Sequence, residues 1–362
     1  MKRSAFVTIH PDALQHNIKR AKEAAPNSHI NAVIKANAYG HGAVATAGIL
    51  YSFSDGFAVS CIPEAVELRQ AHIDKPITVL QGPQTLEDLY IAAQYQLRLT
   101  LHEKQQLTLL DTYSGNTRFA INLKVDTGMH RLGFAPNEVH PIFQRLNRHA
   151  NVNADALILM SHLSCADDLT NEMTKKQLHT FHEASEPIDA ATSIANSAGI
   201  LGWPESHADW NRPGIMLYGS SPLMGQDREA LQLQAAMSLT APVIACHALK
   251  QGDRIGYGAS WECPQAMLVA VIACGYADGY PRHAPSGTPV WINGWEVPLV
   301  GRVSMDMIVV DLSQLEPHAV RVGDYAELWG KNISVDRVAQ QAETISYELL
   351  CHAGNNCKRN GT

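Results

Sequence analysis

Apolar residues follow two alternating patterns over the first two thirds of the chain. Short runs of β-branched and other apolar residues are each followed by a stretch in which apolar residues recur every three to four positions. The first pattern predicts buried β-strands and the second predicts amphipathic helices. On this basis we predict eight strands, at residues 29–35, 57–61, 77–80, 98–101, 118–125, 156–160, 192–196 and 214–218.

Three residues mark where helices begin between these strands. Asp12 is a candidate cap for a first helix, Pro63 suits the first turn of a second, and Asn171 is a candidate cap for another. Strands that alternate with helices imply a parallel sheet. Eight such units in roughly two hundred residues match a small TIM-type (β/α)₈ barrel. An open, doubly wound sheet is the alternative, but it usually carries a G-x-G-x-x-G turn that this sequence lacks.

The pattern changes after about Leu233, where strand-like runs follow one another with little helix between them. These runs lie at 239–248, 267–274, 297–300, 307–312 and 325–328, and turn signals such as Asn293-Gly294 separate them. We therefore predict a barrel domain over residues 10–232 and a mainly β C-terminal domain over 233–362. An N-terminal strand within residues 1–9 is expected to join the second domain.

Composition narrows the class of protein. The 362 residues carry a net charge of −7, and Lys and Arg are scattered, which argues against a nucleic-acid-binding face. The longest apolar run, residues 266–274, is far shorter than the ~20 residues of a membrane-spanning helix. The first residues lack an apolar stretch of secretory length, so we predict a cytoplasmic protein without membrane contact.

Cysteine usage gives no sign of a disulfide framework or a zinc ribbon. The seven cysteines are odd in number and include no Cys-x-x-Cys pair. Reduced, mostly buried thiols are the expected state, and no metal site is predicted.

Lys35 is the first candidate for chemistry, because it ends the first predicted strand of the barrel. Function in such barrels lies at the C-terminal ends of the strands, and burial lowers the pKa of an amine toward its nucleophilic form. Lys35 is therefore a candidate Schiff-base lysine. From position alone, a surface lysine with a partly buried stem is the alternative.

The residues around Lys35 form a recognisable motif. Lys35-Ala36-Asn37-Ala38-Tyr39-Gly40-His41-Gly42 resembles the pyridoxal-phosphate lysine motif of the alanine racemases. Further blocks that resemble this family follow in the family's order at 124–133, 161–162, 195–198, 212–219, 256–258, 275–279, 301–306 and 347–350. The family fold, a (β/α)₈ barrel followed by a β domain, agrees with the pattern of apolar residues.

The resemblance implies pyridoxal 5′-phosphate as the cofactor and a role for each matching residue. Lys35 would hold the cofactor and act as the base on one face of the substrate Cα, and Tyr257 would act on the opposite face. The cofactor would contact Lys35, Tyr39, His162, Asn196, Ser197, Arg212, Gly214, Ile215 and Tyr347. Arg212 would face the pyridine nitrogen and oppose its protonation, since like charges disfavour each other.

Four further residues complete the implied site. Arg131 and Met305 would bind the substrate carboxylate, Lys124 would be carbamylated (N6-carboxylysine), and Tyr276 would gate the substrate channel. Taken from the residues alone, plainer roles stay open for the residues implied here and above. Tyr257 would be a turn aromatic, Arg212 a salt-bridge partner, His162 a core imidazole, and Lys124 an unmodified partner of Asp126 or another acid.

The implied activity is the interconversion of L-alanine and D-alanine, which supplies peptidoglycan precursors, in a homodimer whose active sites are shared across the interface. A racemase of broader specificity is the first alternative. A pyridoxal-phosphate decarboxylase is less favoured, because the sequence lacks a Gly-Gly pair for its phosphate loop. A small cofactor-carrier protein is a further alternative, and it is disfavoured because such a protein would lack the β domain. The segment after Leu350 does not show the Arg-Val-Pro-like end of the family, so the sequence leaves the last strand unassigned.

Overall fold

The computed structural model describes residues 4–360, which form a parallel eight-stranded sheet surrounded by helices, a second eight-stranded sheet and a small two-stranded sheet. The strands of this part of the chain are β1 (Phe6–Ile9), β2 (His29–Val33), β3 (Gly56–Val59), β4 (Ile77–Val79), β5 (Arg98–Leu101), β6 (Ile121–Lys124), β7 (Ile158–Met160), β8 (Ala191–Ser193), β9 (Trp210–Asn211), β10 (Met237–Leu249), β11 (Arg254–Ile255), β12 (Trp261–Glu262), β13 (Met267–Ile272), β14 (Pro289–Ile292), β15 (Trp295–Val300), β16 (Ile308–Asp311), β17 (Tyr325–Trp329) and β18 (Lys358–Asn360). The helices of the same part are α1 (Pro11–Ala24), α2 (Lys35–Tyr39), α3 (Ala43–Leu50), α4 (Ile62–Gln70), α5 (Leu86–Gln94), α6 (Lys104–Thr112), α7 (Pro136–Asn147), α8 (Glu172–Ser185), α9 (Ser197–Gly202), α10 (Val335–Gln341) and α11 (Ser346–Asn356).

Strands β2–β9 form the predicted parallel barrel, in the order β8-β7-β6-β5-β4-β3-β2-β9. The two end strands meet, because the amide of Arg212 donates to the Ala195 carbonyl at 3.0 Å and the Ser193 hydroxyl donates to the Trp210 carbonyl at 2.7 Å. Helices follow the strands in the βα pattern of a TIM-type fold. The prediction of an α/β barrel followed by a mainly β domain is confirmed.

Two sequence predictions inside the barrel domain are wrong. The predicted eighth strand at 214–218 is a 3₁₀ turn, Ile215–Tyr218, and the strand itself is β9. A short apolar run does not distinguish a strand from a buried helical turn, and all four side chains of this turn are buried. Asp12 does not cap α1, because the helix begins at Pro11 with His10 before it and Asp12 in its first turn. Pro63 and Asn171 take the predicted positions at the starts of α4 and α8.

The C-terminal sheet closes on itself through one long bent strand. The order is β13-β16-β15-β14-β17-β10-β1-β18, and β10 also pairs with β13. The register of β10 shifts between Val243 and Ala245. Its two halves thus reach different neighbours, because such an irregularity bends a strand. Asn293-Gly294 forms the predicted hairpin turn, with φ values of 49° and 93°.

The chain termini meet on this second sheet. β1 pairs antiparallel with β10, and β18 pairs parallel with β1, with Val7 opposite Arg359. The last strand, which the sequence left unassigned, therefore extends the C-terminal sheet. Residues 1–3 of the predicted N-terminal strand and residues 361–362 lie outside the described residues. The domain ranges 10–232 and 233–362 stay a prediction.

Candidate active site

The segment after β2 presents Lys35 at the C-terminal end of the barrel. Residues 36–39 have φ between 51° and 55°, and Gly40 continues the turn at 83°. A left-handed turn costs L-residues roughly 1–2 kcal/mol each, so side chains must hold it. The Ala36 amide donates to Glu64 at 2.8 Å, and the Ala43 amide donates to the Asn37 side chain at 2.8 Å.

The environment of Lys35 favours a neutral amine. Burial lowers the pKa of Lys35 below its ordinary value, and the cation of Arg131 lowers it further, while Glu64 acts in the opposite direction. A neutral amine is the form that attacks a carbonyl or accepts a proton. The local backbone and the charges around it therefore support the nucleophilic role predicted for Lys35.

A small open pocket lies at the ends of β6 and β7, and the charge of Arg131 in its lining acts on Lys35. Lys124, Arg131 and His162 line it together with Ser161, so the structure brings these three predicted site residues together. Burial lowers the pKa of Lys124 to about 8, helped by the nearby cations of Arg212 and Arg131. The pocket therefore concentrates positive charge.

Asp126 forms no salt bridge with Lys124, although its negative charge acts against the lowering of the Lys124 pKa. Its carboxylate accepts from the Gly128 and His130 amides at 3.0 Å each and lies 3.1 Å from the His130 imidazole. Among residues 4–360, Lys124 forms no ion pair with a carboxylate. The plain alternative of a Lys124–Asp126 salt bridge is therefore absent from this structure.

Arg212 is the most buried cation of the site, at 4 % exposure. Its guanidinium donates to the Ser193 hydroxyl and to the Ser161 and Ile194 carbonyls, and one nitrogen lies 3.5 Å from Nδ1 of His162. Burial lowers the pKa of Arg212 to about 10. No carboxylate in the described chain pairs with it, so the salt-bridge alternative does not apply here.

His162 stays neutral beside this cation. Burial lowers its pKa well below the ordinary value, and Arg212, Lys124 and Arg131 add to the effect. A neutral imidazole next to a fixed guanidinium keeps one positive charge, rather than two, in this part of the site.

A second group of predicted residues forms a small cradle of neutral donors. The Ser197 hydroxyl accepts from the amides of Gly214 at 2.8 Å and Met216 at 3.3 Å. A Cβ on Gly214 would lie 2.9 Å from the Tyr39 hydroxyl, so only glycine leaves this space free. The Tyr39 ring lies 5.8 Å from the Tyr347 ring.

The cradle suits a phosphate group, because such a group accepts hydrogen bonds from hydroxyls and backbone amides. Ile215 begins the 3₁₀ turn directly after Gly214. Asn196 has a structural role here rather than a direct place in the cradle. Its side chain accepts a hydrogen bond from the Gly199 amide at 2.9 Å and caps α9.

Tyr257, Tyr276 and Met305 lie on the surface of the C-terminal domain. They are 71 %, 41 % and 53 % exposed. The Tyr276 and Ala277 amides donate to the Ser304 and Met305 carbonyls, which places those two loops side by side. Within residues 4–360 no hydrogen bond or ring contact joins Tyr257 to Lys35 or to the pocket lined by Lys124 and Arg131, so the single chain shows no direct contact between the two predicted bases.

Sequence reasoning missed several residues that shape the site. Tyr218 stacks on Tyr39 with ring centres 4.7 Å apart, and its hydroxyl donates to the Val33 carbonyl at 2.8 Å. His41 is fully buried under Tyr218. Glu64 lies on α4, a different element from Lys35, so spacing along the chain carried no signal for it.

Comparison with known proteins identifies the family. The model described as "Alanine racemase, N-terminal domain" matches residues 9–222, and "Alanine racemase, C-terminal domain" matches 236–360. Alanine racemases of Halorhodospira halophila and Nitrosococcus oceani are 46 % and 47 % identical, over 99 % and 97 % of this chain and 98 % and 97 % of theirs. The chain belongs to the alanine racemase family. It is therefore an isomerase of the racemase class, and the predicted family and enzyme class are confirmed.

Solved structures of the family agree over the whole length. The biosynthetic alanine racemase of Pseudomonas aeruginosa superposes with a TM-score of 0.96 at 41 % identity, covering 100 % of both chains. An alanine racemase of Bartonella henselae, described with covalently bound pyridoxal phosphate, superposes with a TM-score of 0.87 at 30 % identity over 99 % of both chains. The alanine racemase of E. faecalis superposes with a TM-score of 0.88 at 30 % identity, over 99 % of this chain and 98 % of its own. The decarboxylase and carrier-protein alternatives are disfavoured by these full-length matches.

Proposed function

We propose that this chain interconverts L-alanine and D-alanine with pyridoxal 5′-phosphate bound covalently to Lys35. The observation that carries the proposal is the half-buried amine of Lys35, with its lowered pKa, at the strand end beside a cationic pocket and a cradle of neutral donors. The names of the relatives support alanine as the substrate.

The residues present fit this cofactor. Tyr39, Ser197, Tyr347 and the amides of Gly214 and Ile215 would hold its phosphate, and the space kept free at Gly214 supports that assignment. Arg212 would face the ring nitrogen with His162 beside it, and Asn196 would contribute by capping α9, the helix that begins at Ser197. When bound, the cofactor supplies the electron sink for loss of the Cα proton.

The substrate carboxylate needs a cation, and Arg131 in the pocket is the proposed partner, together with Met305. Lys124 is proposed to be carbamylated. Carbon dioxide reacts with neutral amines, and a pKa of about 8 provides a substantial neutral fraction near pH 8. The resulting anion would orient Arg131 within a pocket of cations.

Racemisation also needs a proton donor or acceptor on each face of Cα. We assign one face to Lys35 and the other to Tyr257. Because Tyr257 is exposed and does not line the pocket of its own chain, it would serve the site of a partner subunit in a homodimer. The neighbouring surface loops would bring Met305 to that site and place Tyr276 as a gate at its channel.

The remaining proposals concern where the enzyme is located and what its product is used for. We propose that the enzyme is cytoplasmic and supplies D-alanine for peptidoglycan precursors. No helix in residues 4–360 is both long and apolar enough to span a membrane. A racemase of broader specificity is the competing function.

A racemisation assay of the purified enzyme on alanine, serine, lysine and arginine tests the substrate. Alanine should be turned over far faster than the other three, and comparable activity on lysine or arginine would assign the broader function instead. Borohydride reduction followed by peptide mass spectrometry tests attachment. The cofactor should be found on Lys35, and Lys35→Ala should carry none and lose nearly all turnover.

A further inference from the structure

The C-terminal segment reaches back to the turn that carries Lys35. Arg359 belongs to β18, whose backbone is held by pairing with β1 opposite Val7. Its side chain leaves this sheet and crosses to the barrel domain, where Nε donates to the Gly40 carbonyl at 3.1 Å. Nη2 of the same guanidinium donates to the Gly354 carbonyl at 3.0 Å.

The two carbonyls belong to different elements. Gly40 ends the left-handed turn that begins directly after Lys35. Gly354 lies in the last turn of α11, the helix that carries Tyr347. Carbonyls at a helix C-terminus lack intrahelical donors, and a cation there is favoured by the helix dipole. The planar fork of arginine can donate to two acceptors at once, which the point charge of lysine does less well.

The turn also leaves space for this guanidinium. Gly42 has φ of 97°, and a Cβ at that position would lie 3.5–3.7 Å from the guanidinium atoms of Arg359. Arg359 therefore lies against the turn between Gly40 and Gly42, and its side chain is partly buried there.

We propose that Arg359 is a positioning residue for Lys35: by bridging Gly40 and Gly354, it holds the left-handed turn against α11 and keeps the cofactor lysine and Tyr347 in register. The inference rests on the proposed attachment of the cofactor to Lys35. It also gives a role to the C-terminal strand β18, which the sequence left unassigned.

The bridge from Arg359 matters because the left-handed turn after Lys35 is a conformation that needs support. Residues 36–39 hold a conformation that L-residues disfavour, so the turn persists only where its surroundings hold it. Glu64 holds its first amide, and Arg359 holds its last carbonyl. Without the hydrogen bond from Arg359, the turn can adopt other conformations, and the conformation that binds the cofactor is less populated.

The test measures the affinity of the full-length enzyme for pyridoxal phosphate by equilibrium dialysis. Arg359→Ala should raise the dissociation constant about tenfold or more, since two hydrogen bonds are lost. Guanidinium ion at low millimolar concentration should restore much of that affinity. Arg337→Ala, which removes an exposed arginine paired with Glu296, is the matched control and should keep the wild-type value.

Arg359→Lys decides the question if the alanine variant does not fold. It keeps the charge but not the fork, so its dissociation constant should rise severalfold. Affinity within twofold of the wild type, in either the alanine or the lysine variant, would overturn the inference. That outcome is distinct from failure of the proposed function, which would show as covalent cofactor still attached in Lys35→Ala.

Discussion

Gly40 and Gly354 bring two backbones into direct contact between the barrel and the C-terminal domain. A Cβ on Gly354 would lie 2.0 Å from the Gly40 carbonyl oxygen, and a Cβ on Gly40 would lie 2.3 Å from the Leu350 carbonyl oxygen. Real Cβ atoms do not approach so closely. The contact seats α11 on the turn after Lys35, so the packing of one helix helps to fix where Lys35 is presented.

Replacement of Gly354 by alanine should therefore disturb this contact. We expect Gly354→Ala to lower the free energy of unfolding by about 1–3 kcal/mol, the usual cost of overpacking, and to weaken cofactor binding. Denaturant unfolding and cofactor dialysis measure the two effects. Gly48→Ala is the control, because nothing lies within 4 Å of a Cβ there. The same small effect in both variants would contradict the prediction.

Tyr257→Phe tests the two-base assignment. The variant keeps the ring but removes the ionisable hydroxyl, so racemisation should fall in both directions. Exchange of the Cα hydrogen in deuterated water should become unequal: D-alanine still exchanges through Lys35, and L-alanine exchanges about 10²–10⁴-fold more slowly. Proton NMR of each enantiomer gives the rates.

The control for this experiment is the oligomeric state, because Tyr257 is proposed to act across the subunit interface. The variant must sediment as the wild-type enzyme does. Equal residual exchange from the two enantiomers would remove Tyr257 from the catalytic residues and favour a single base.

Carbamylation of Lys124 should depend on pH in a defined way. A pKa of about 8 means that the neutral amine increases as the pH rises toward 8 and changes little well above it. With ¹³C-labelled bicarbonate, we expect a carbamate signal in the NMR spectrum that follows this curve and is absent from Lys124→Met. Lys104→Met is the control, because the hydrogen bond to Glu138 raises the pKa of Lys104 and keeps that amine charged. A signal that survives in Lys124→Met would place the modification elsewhere.

His41 should make the protein sensitive to acid. Burial lowers the pKa of His41 to about 4, against its ordinary value of 6.5. As the pH falls below about 6.5, the unfolded chain takes up a proton that the folded protein does not, so stability decreases down to about pH 4 and is unaffected by this group above 6.5. The full effect amounts to roughly 3 kcal/mol at most.

Unfolding of wild type and His41→Gln between pH 7 and pH 4 checks this expectation. The variant should lose less stability over that range, although it starts from a lower value because the packing under Tyr218 is disturbed. His179→Gln, at an exposed histidine of α8, should leave the slope as in the wild type. Parallel slopes for all three proteins would contradict the assignment to His41.

Local patterns were sufficient for most elements of the fold. Seven of the predicted barrel strands overlap observed strands, since a buried strand requires consecutive apolar residues. The eighth was misplaced because residues 215–218 are apolar for another reason: they form a buried turn. Helices α10 and α11 were missed because the strand-like runs around them dominated the pattern.

Local sequence patterns likewise identified some residues of the candidate site and missed others. Lys35, Lys124 and His162 were found because each ends a strand within a motif, and the barrel brings strand ends together. Glu64, Tyr218 and Arg359 carried no such signal, since each acts on the turn after Lys35 from a distant part of the chain.

The sequence by itself determined most of the order of strands and helices, the family and the candidates for the residues that carry chemistry. These follow from local periodicity and from motifs that are contiguous in the chain. Only the tertiary structure decided the charge states and the supports of the site, such as the lowered pKa of Lys124 and the bridge from Arg359 to Gly40. Burial and contacts between residues far apart in the chain set these properties, and neither is a function of neighbouring residues alone.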